Sequence, residues 1–213
     1  MSPASSRAWV VVAGTALILA GCSERPPEPP IQPAMPVVTL ERITLPRAQL
    51  LPAVAAASPA DRPIASLLNV PTAMEYGDWK WSEEGVPPGE IWVLVDLKAQ
   101  TMSVFRGAHE IGTAVTLYGV DRKPTPTGRF TIIEKRKDHV SNLYNAPMPY
   151  MMRLTMDGVA IHGSDVREGA GTHGCLGVPL DFGEKLFAQV ERGTEVLVLA
   201  DARAKGGDLA KTS

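Results

Sequence analysis

The sequence predicts a mostly β fold with many strands and few helices. Three observations carry this. Short runs rich in β-branched and aromatic residues recur from Ile91 onward. Proline and glycine turns punctuate them, as in Lys123-Pro-Thr-Pro-Thr-Gly128. A complete helix signature occurs once: Phe182 to Glu191, with Asp181 as N-cap, Glu184 placed for a capping box and Gly193 beyond the end.

The strands follow in order. Ile91 to Asp96 and Thr101 to Arg106 are β-rich and joined by the short link Leu97 to Gln100, which predicts a hairpin. Further strands are predicted over Glu110 to Leu117, Phe130 to Glu134, Tyr150 to Thr155, Val159 to His162 and Glu195 to Leu199. The aromatics Tyr76, Trp79 and Trp81 predict that the stretch up to Pro88 packs on this domain. The folded domain is therefore expected over 76–201, with a polar, mobile tail over 202–213.

Upstream the composition changes. Trp9 to Ala20 is an apolar and small-residue run of 12 after a single charge at Arg7. It is shorter than the roughly 20 residues of a spanning helix and suits the core of an export signal, expected over 1–21. Ser23 to Pro71 holds 11 of the 19 prolines. Repeated proline blocks helix and ladder pairing, so 22–75 is expected to be an extended, semi-rigid spacer, with one short helix over Ala60 to Asn69.

The formal net charge of −2 lacks the basic surplus of an electrostatic nucleic-acid binder. Two cysteines exclude a disulfide-rich scaffold and a four-cysteine zinc site. The second, Cys175, lies in Gly169-Ala-Gly-Thr-His-Gly-Cys-Leu-Gly177, not in the apolar run that holds a core cysteine. Glycines permit the backbone to aim successive N–H groups at a developing oxyanion. His173 stands two residues before Cys175, and His162 ends the strand Val159-Ala-Ile-His. An imidazole that takes the thiol proton generates the nucleophilic thiolate, so the three residues form a candidate acyl-transfer site. As three zinc ligands they lack the fourth partner of a standard spacing. The glycine loop lacks the Gly-Lys-Ser/Thr ending of a phosphate loop. No metal and no cofactor are therefore expected. A buried structural cysteine in an unrelated β domain is the remaining reading. His109 and His139 are expected to be solvated.

These residues resemble the catalytic domain of L,D-transpeptidases. That family's signature is a His followed by Gly or Ser, then Ser/Thr-His-Gly-Cys, matched by His162-Gly163 and Thr172-His173-Gly174-Cys175. Val93 to Asp96 with Gln100 resembles the first hairpin, Thr125 to Phe130 the T-P-x-G-x-F turn and Gly193 to Val196 the closing strand. The resemblance spans roughly Glu90 to Ala200 and implies β-sandwich-like mixed sheets. It also implies a peptidoglycan L,D-transpeptidase that attacks a stem tetrapeptide and releases its terminal D-Ala. Cys175 would be the nucleophile and His162 the general base and acid. The backbone of Gly163 would orient His162, Gly174 would supply an oxyanion N–H, and His173 would shape the loop. Tyr150 and Thr172 are expected to line the substrate groove. The acceptor is an amine of a second stem or of an outer-membrane protein; with water the enzyme is a carboxypeptidase or endopeptidase.

One position departs from the pattern. The family commonly places Arg or Asn two residues after the cysteine, and here Gly177 stands there. A non-catalytic, wall-binding lipoprotein that keeps the fold is the competing reading. Leu19-Ala20-Gly21-Cys22 resembles the lipobox of bacterial lipoproteins, with Cys22 lipidated. Ser23 favours the outer membrane by the sorting rule of such proteins. The expected location is exported, periplasmic and membrane-anchored through that lipid.

Overall fold

The structure is a computed structural model. It describes residues 37–39, 41–44, 62–70, 73–119, 123–142 and 144–200, all within the compact unit Pro33–Ser213. The expected export signal, Cys22 and the 202–213 tail lie outside the described residues.

Strands β1 (Val37–Val38), β2 (Arg42–Thr44), β3 (Ser66–Leu68), β4 (Trp79–Trp81), β5 (Ile91–Asp96), β6 (Thr101–Arg106) and β7 (His109–Val115) come first. They are followed by β8 (Gly128–Thr131), β9 (Glu134–Arg136), β10 (Met151–Arg153), β11 (Ala160–Ser164) and β12 (Leu176–Pro179). Helix α1 (Leu180–Gln189) and β13 (Glu195–Leu199) complete the described chain. A nine-stranded sheet has the order β1-β2-β3-β7-β6-β5-β13-β8, with β4 also on β7. A four-stranded sheet has the order β12-β11-β10-β9. Both are mixed: β5 and β13 run parallel, as do β11 and β12, while β5 and β6 form the predicted antiparallel hairpin.

Strand β5 is apolar almost without interruption because both of its faces are covered. Val93 and Val95 face the main core with Met102, Val104, Ile111, Ile161, Leu176, Val178, Phe182 and Leu186. Trp92 and Leu94 face the other way, onto Phe105, Leu197, Leu199 and Ile64. Helix α1 joins the main core through Phe182, which packs in T-shaped contact with Trp79 and Trp81 at centroid distances of 6.4 and 5.5 Å. The predicted packing of this stretch is therefore present in both tryptophans; Tyr76 is exposed and reaches Gln100 through its hydroxyl.

Four expectations are corrected. The predicted helix over 60–69 is instead strand β3: Ile64, Ser66 and Leu68 are at most 2% exposed and alternate with half-buried Ala65 and Leu67, a period of two. The expected spacer is correspondingly not a spacer throughout, since β1, β2 and β3 extend the large sheet beyond β7. The predicted strand 130–134 is two strands. Ile132 donates its N–H to the Thr194 carbonyl just before β13 and Ile133 donates to the Arg153 carbonyl of β10, so the chain changes sheets between them. Helix α1 begins two residues early, at Leu180, because β12 feeds directly into it with Pro179 at the N-cap position. Asp181 lies inside the first turn and makes no cap, and Glu184 instead accepts the Tyr150 hydroxyl. At the far end Lys135 donates to the Val190 carbonyl, and Gly193 turns the chain with φ +93°.

A polar cluster fixes β2 and β3 to β7. Arg42 donates to Ser66 Oγ at 3.2 Å, to the Glu110 carbonyl at 2.5 Å and to the Ser82 carbonyl at 3.1 Å. Leu68 donates its N–H to Glu110 Oε2 at 2.7 Å. His109, expected to be solvated, is half-buried with Nδ1 2.9 Å from Ser66 Oγ, and burial holds it below the ordinary imidazole range. Burial likewise raises the Glu110 carboxyl to about 7, against its hydrogen bonds and the Arg42 charge. A carboxyl raised on folding adds stability that is fully present below its unfolded value of 4.5 and is lost as pH rises through about 7. The unfolding midpoint should therefore fall between about pH 5 and pH 8 by more than that of Glu110→Gln, a comparison that cancels His109. Superimposable profiles in urea titrations would refute this.

Candidate active site

The site grows from the pairing of β11 with β12. In their parallel register Ile161 faces Leu176 and His162 faces Gly177. Ile161 and Leu176 are fully buried on the core side. Alternation then directs Ala160, His162 and Ser164 to the opposite face, where Cys175 arrives just before β12 begins. A cavity of about 230 Å³ opens there, lined by His162, Ser164, Thr172, His173, Cys175 and Tyr144 among others.

The His162 Nδ1 lies 2.9 Å from the carbonyl of Gly163. A carbonyl only accepts, so Nδ1 carries the proton and Nε2 is left with a lone pair for a thiol proton. Burial lowers the His162 pKa, the Gly163 carbonyl opposes that, and the charge of His139 adds to it. Burial raises the Cys175 thiol, against the Ala160 N–H and the charge of Lys123. The resting pair at neutral pH is thus a neutral imidazole and a thiol, whose Sγ lies 3.8 Å from the Gly158 carbonyl. Gly163 also has a packing role. A Cβ there would stand 2.9 Å from Leu180 Cδ1 and 3.3 Å from Pro149 Cγ, so its hydrogen lets α1 approach.

The loop before Cys175 is tied from two sides. Thr172 donates its hydroxyl to the Cys175 carbonyl at 2.6 Å. Thr125, 6% exposed, accepts the Gly119 N–H at 2.8 Å and donates to the Gly174 carbonyl at 3.0 Å. Gly174 adopts φ +103°, open to glycine, and a Cβ on Gly119 would collide with its backbone and with the Lys123 carbonyl. Among the described residues no group accepts the N–H of Gly174 or Cys175, which suits an oxyanion. Thr125→Val removes both of its bonds without changing shape. It should cost about 2–4 kcal/mol, for two buried groups left unpaired, and slow Cys175 acylation more than tenfold. Thr125→Ser should retain both properties, in urea unfolding and in acylation rate alike.

The sequence-predicted residues do not all meet. His162, Thr172, His173 and Cys175 line the cavity, and Gly163 and Gly174 adjoin it through their backbones. Tyr150 does not. Its backbone is left-handed, φ 56°, and its ring packs on Phe187 at 5.8 Å, with Lys137 over its face at 5.9 Å. The aromatic on the cavity is Tyr144, stacked on His173 at 4.6 Å. Ser164, Lys123 and Tyr144 were missed. Ser164 was legible, two residues after His162 on one strand; Tyr144 lies in an irregular segment with no periodic signal. At Gly177 a Cβ would lie 3.0 Å from Ser164 Cβ and 3.4 Å from Leu117 Cβ, so these neighbours occupy the ground a larger residue would need.

The family model of the L,D-transpeptidase catalytic domain (YkuD) matches residues 90–198, half of the chain. The chain belongs to the L,D-transpeptidase family. No curated protein matches it. Among solved structures, an L,D-transpeptidase from Mycobacterium smegmatis is 22% identical, with 53% of this chain and 59% of that chain covered and a TM-score of 0.49. A cysteine-to-serine mutant of the Enterococcus faecium L,D-transpeptidase is 30% identical, with 53% and 50% covered and a TM-score of 0.48. An L,D-transpeptidase from Stackebrandtia nassauensis is 21% identical, with 71% and 66% covered and a TM-score of 0.50. That third likeness shows the fold, and its span exceeds the residues that the family model matches. This family member spans 59% and 50% of the length of the first two structures.

Proposed function

We propose that this family member is a peptidoglycan L,D-transpeptidase that works through a Cys175 thioester. The observation that carries this reading is the His162 tautomer: Nδ1 is spent on the Gly163 carbonyl, so the other ring nitrogen is the base. Nε2 takes the thiol proton as Sγ attacks the carbonyl of the third residue of a stem tetrapeptide. The N–H groups of Gly174 and Cys175 receive the oxyanion. The imidazolium then gives its proton to the departing D-Ala amine, leaving the acyl group on sulfur. An amine of a second stem or of a protein attacks the thioester, His162 takes its proton, and the thiol is restored.

The close approach of Ser164 and Leu117 to Gly177 supports reading the missing side chain there as a matter of packing, with Cys175 and His162 both still lining the cavity. The lipobox-like Leu19 to Cys22 supports an exported, lipid-anchored protein of the periplasmic face. Mass spectrometry of defined muropeptides tests the reaction. Tetrapeptide donors should lose D-Ala and yield a dimer joined at the third residue. A free tripeptide as the sole product would make water the acceptor, and unchanged muropeptides would refute the reading.

A further inference from the structure

Resting on this acyl-transfer reading, we propose that Lys123 selects the donor by holding the free carboxylate of the residue that leaves. The cavity carries one sign of charge. Among its described lining residues Lys123 is the only lysine or arginine, and none is an aspartate or glutamate. This holds in a chain whose formal net charge is −2, so the cavity is set apart from the molecule as a whole.

Lys123 is also built into the catalytic loop. Its Cγ and Cδ lie 3.5 and 3.7 Å from the place a Cβ of Gly174 would take, so its stem runs across the residue before the nucleophile. Its carbonyl packs on Gly119, whose N–H is held by Thr125. The ammonium forms no close ion pair with a described carboxylate, and its charge reaches Asp157 only at longer range, where it helps lower that carboxyl.

The chemistry of the donor places an anion in reach. In a peptide cleaved one residue from its end, the terminal carboxylate carbon lies within about 4 Å of the scissile carbonyl carbon, across three covalent bonds. With that carbonyl on Cys175, the carboxylate must lie beside the residues flanking the sulfur, where the Lys123 stem runs. A longer peptide has a neutral amide at this point and leaves the ammonium unpaired. Lys123 thereby favours donors that end one residue beyond the scissile bond. Gly177 is compatible with this assignment, since that position has no side chain to contribute a second cation.

The test uses two probes: a tetrapeptide stem with a free terminal carboxylate, and the same peptide ending in a carboxamide. Binding is measured by calorimetry on the full chain carrying Cys175→Ala, and turnover on the chain with its native cysteine. The Cys175→Ala chain should bind the carboxylate about tenfold more tightly than the amide. Adding Lys123→Met, which keeps an apolar stem, should abolish that preference and leave amide affinity unchanged. Lys123→Arg should restore the preference. With native Cys175 the same ratio should appear in kcat/KM.

The proposal is overturned if Lys123→Met weakens both peptides equally, which would make the lysine a support for the loop or the thiol. It is also overturned if the preference survives Lys123→Met, or if neither peptide binds. A preference that depends on Lys123 in binding, without turnover by the native chain, would refute the acyl-transfer reading and leave this assignment standing. Turnover with no such preference would do the reverse.

Discussion

Cys175→Ala is expected to eliminate D-Ala release from tetrapeptide muropeptides, a loss on the order of 10⁴-fold or more, because the covalent step has no other nucleophile. Among the described residues Cys175 is the free thiol, and the groups around it, Thr172, His173, Ser164 and the thioether of Met148, include no second thiol. The fold should survive. Cys175 is only partly buried, against Met148, Met151 and Ala160, and truncating its sulfur removes one atom from that contact. A cost of about 1 kcal/mol follows from that small deletion, and denaturant titration separates it from the catalytic loss. The family resemblance adds a second readout, the mass adduct formed when a carbapenem acylates the cysteine, which should vanish in the same variant. Full turnover by Cys175→Ala would sink the assignment.

His162→Ala should slow acylation of Cys175 by about 10²–10⁴-fold, the usual contribution of a positioned base. The pH profile identifies the cause. His162 is held below the ordinary imidazole value and Cys175 above its ordinary thiol value, so the neutral pair persists between them. Acylation by the native chain should be flat across at least about pH 6.5 to 8.5, falling in acid as His162 takes a proton. In His162→Ala the nucleophile must ionise unaided, so the remaining rate should climb with pH about tenfold per unit throughout that range. If His173→Ala alone produces that slope, the base has been misassigned; the stacking of His173 on Tyr144 predicts a smaller effect there.

Local pattern made part of the fold legible. The hairpin of β5 and β6 and the closing strand β13 combine β-branched runs with a short link or a glycine turn, and these signals need no distant partner. What failed depended on distant partners. The 60–69 stretch has helix-forming alanine and leucine, but Glu110 binds the Leu68 N–H and Ala108 accepts that of Ala65. The break after Thr131 follows from Ile132 and Ile133 bonding to different sheets, a relation that no window of residues contains. In the site, His162 and Cys175 were legible as candidates from the motif, and both line the same cavity. Thr125 was read as a turn residue, and its tie across 49 residues to Gly174 is a tertiary fact. Tyr150 was misplaced for a related reason. A left-handed backbone at an aromatic residue is uncommon, and it aims the ring at α1 and Glu184, away from the cavity.

The register of β11 against β12 also decides where this chain tolerates a change of length. Side chains on a strand alternate faces, so a one-residue slip of β11 against β12, forced by a change of length in the strand, would exchange the faces of Ile161 and His162, sending the imidazole into the core and an isoleucine into the cavity. Catalytic geometry and hydrophobic burial are thus one constraint in β11, and no indel there can damage one alone. From Arg167 to Gly171 the residues are exposed or half-buried and belong to no strand. Insertions there lengthen a loop whose closure cost grows only as the logarithm of its length. Variation in length should therefore be accommodated in the loop between β11, which holds His162, and Cys175 at the entry to β12, and excluded from within the strands.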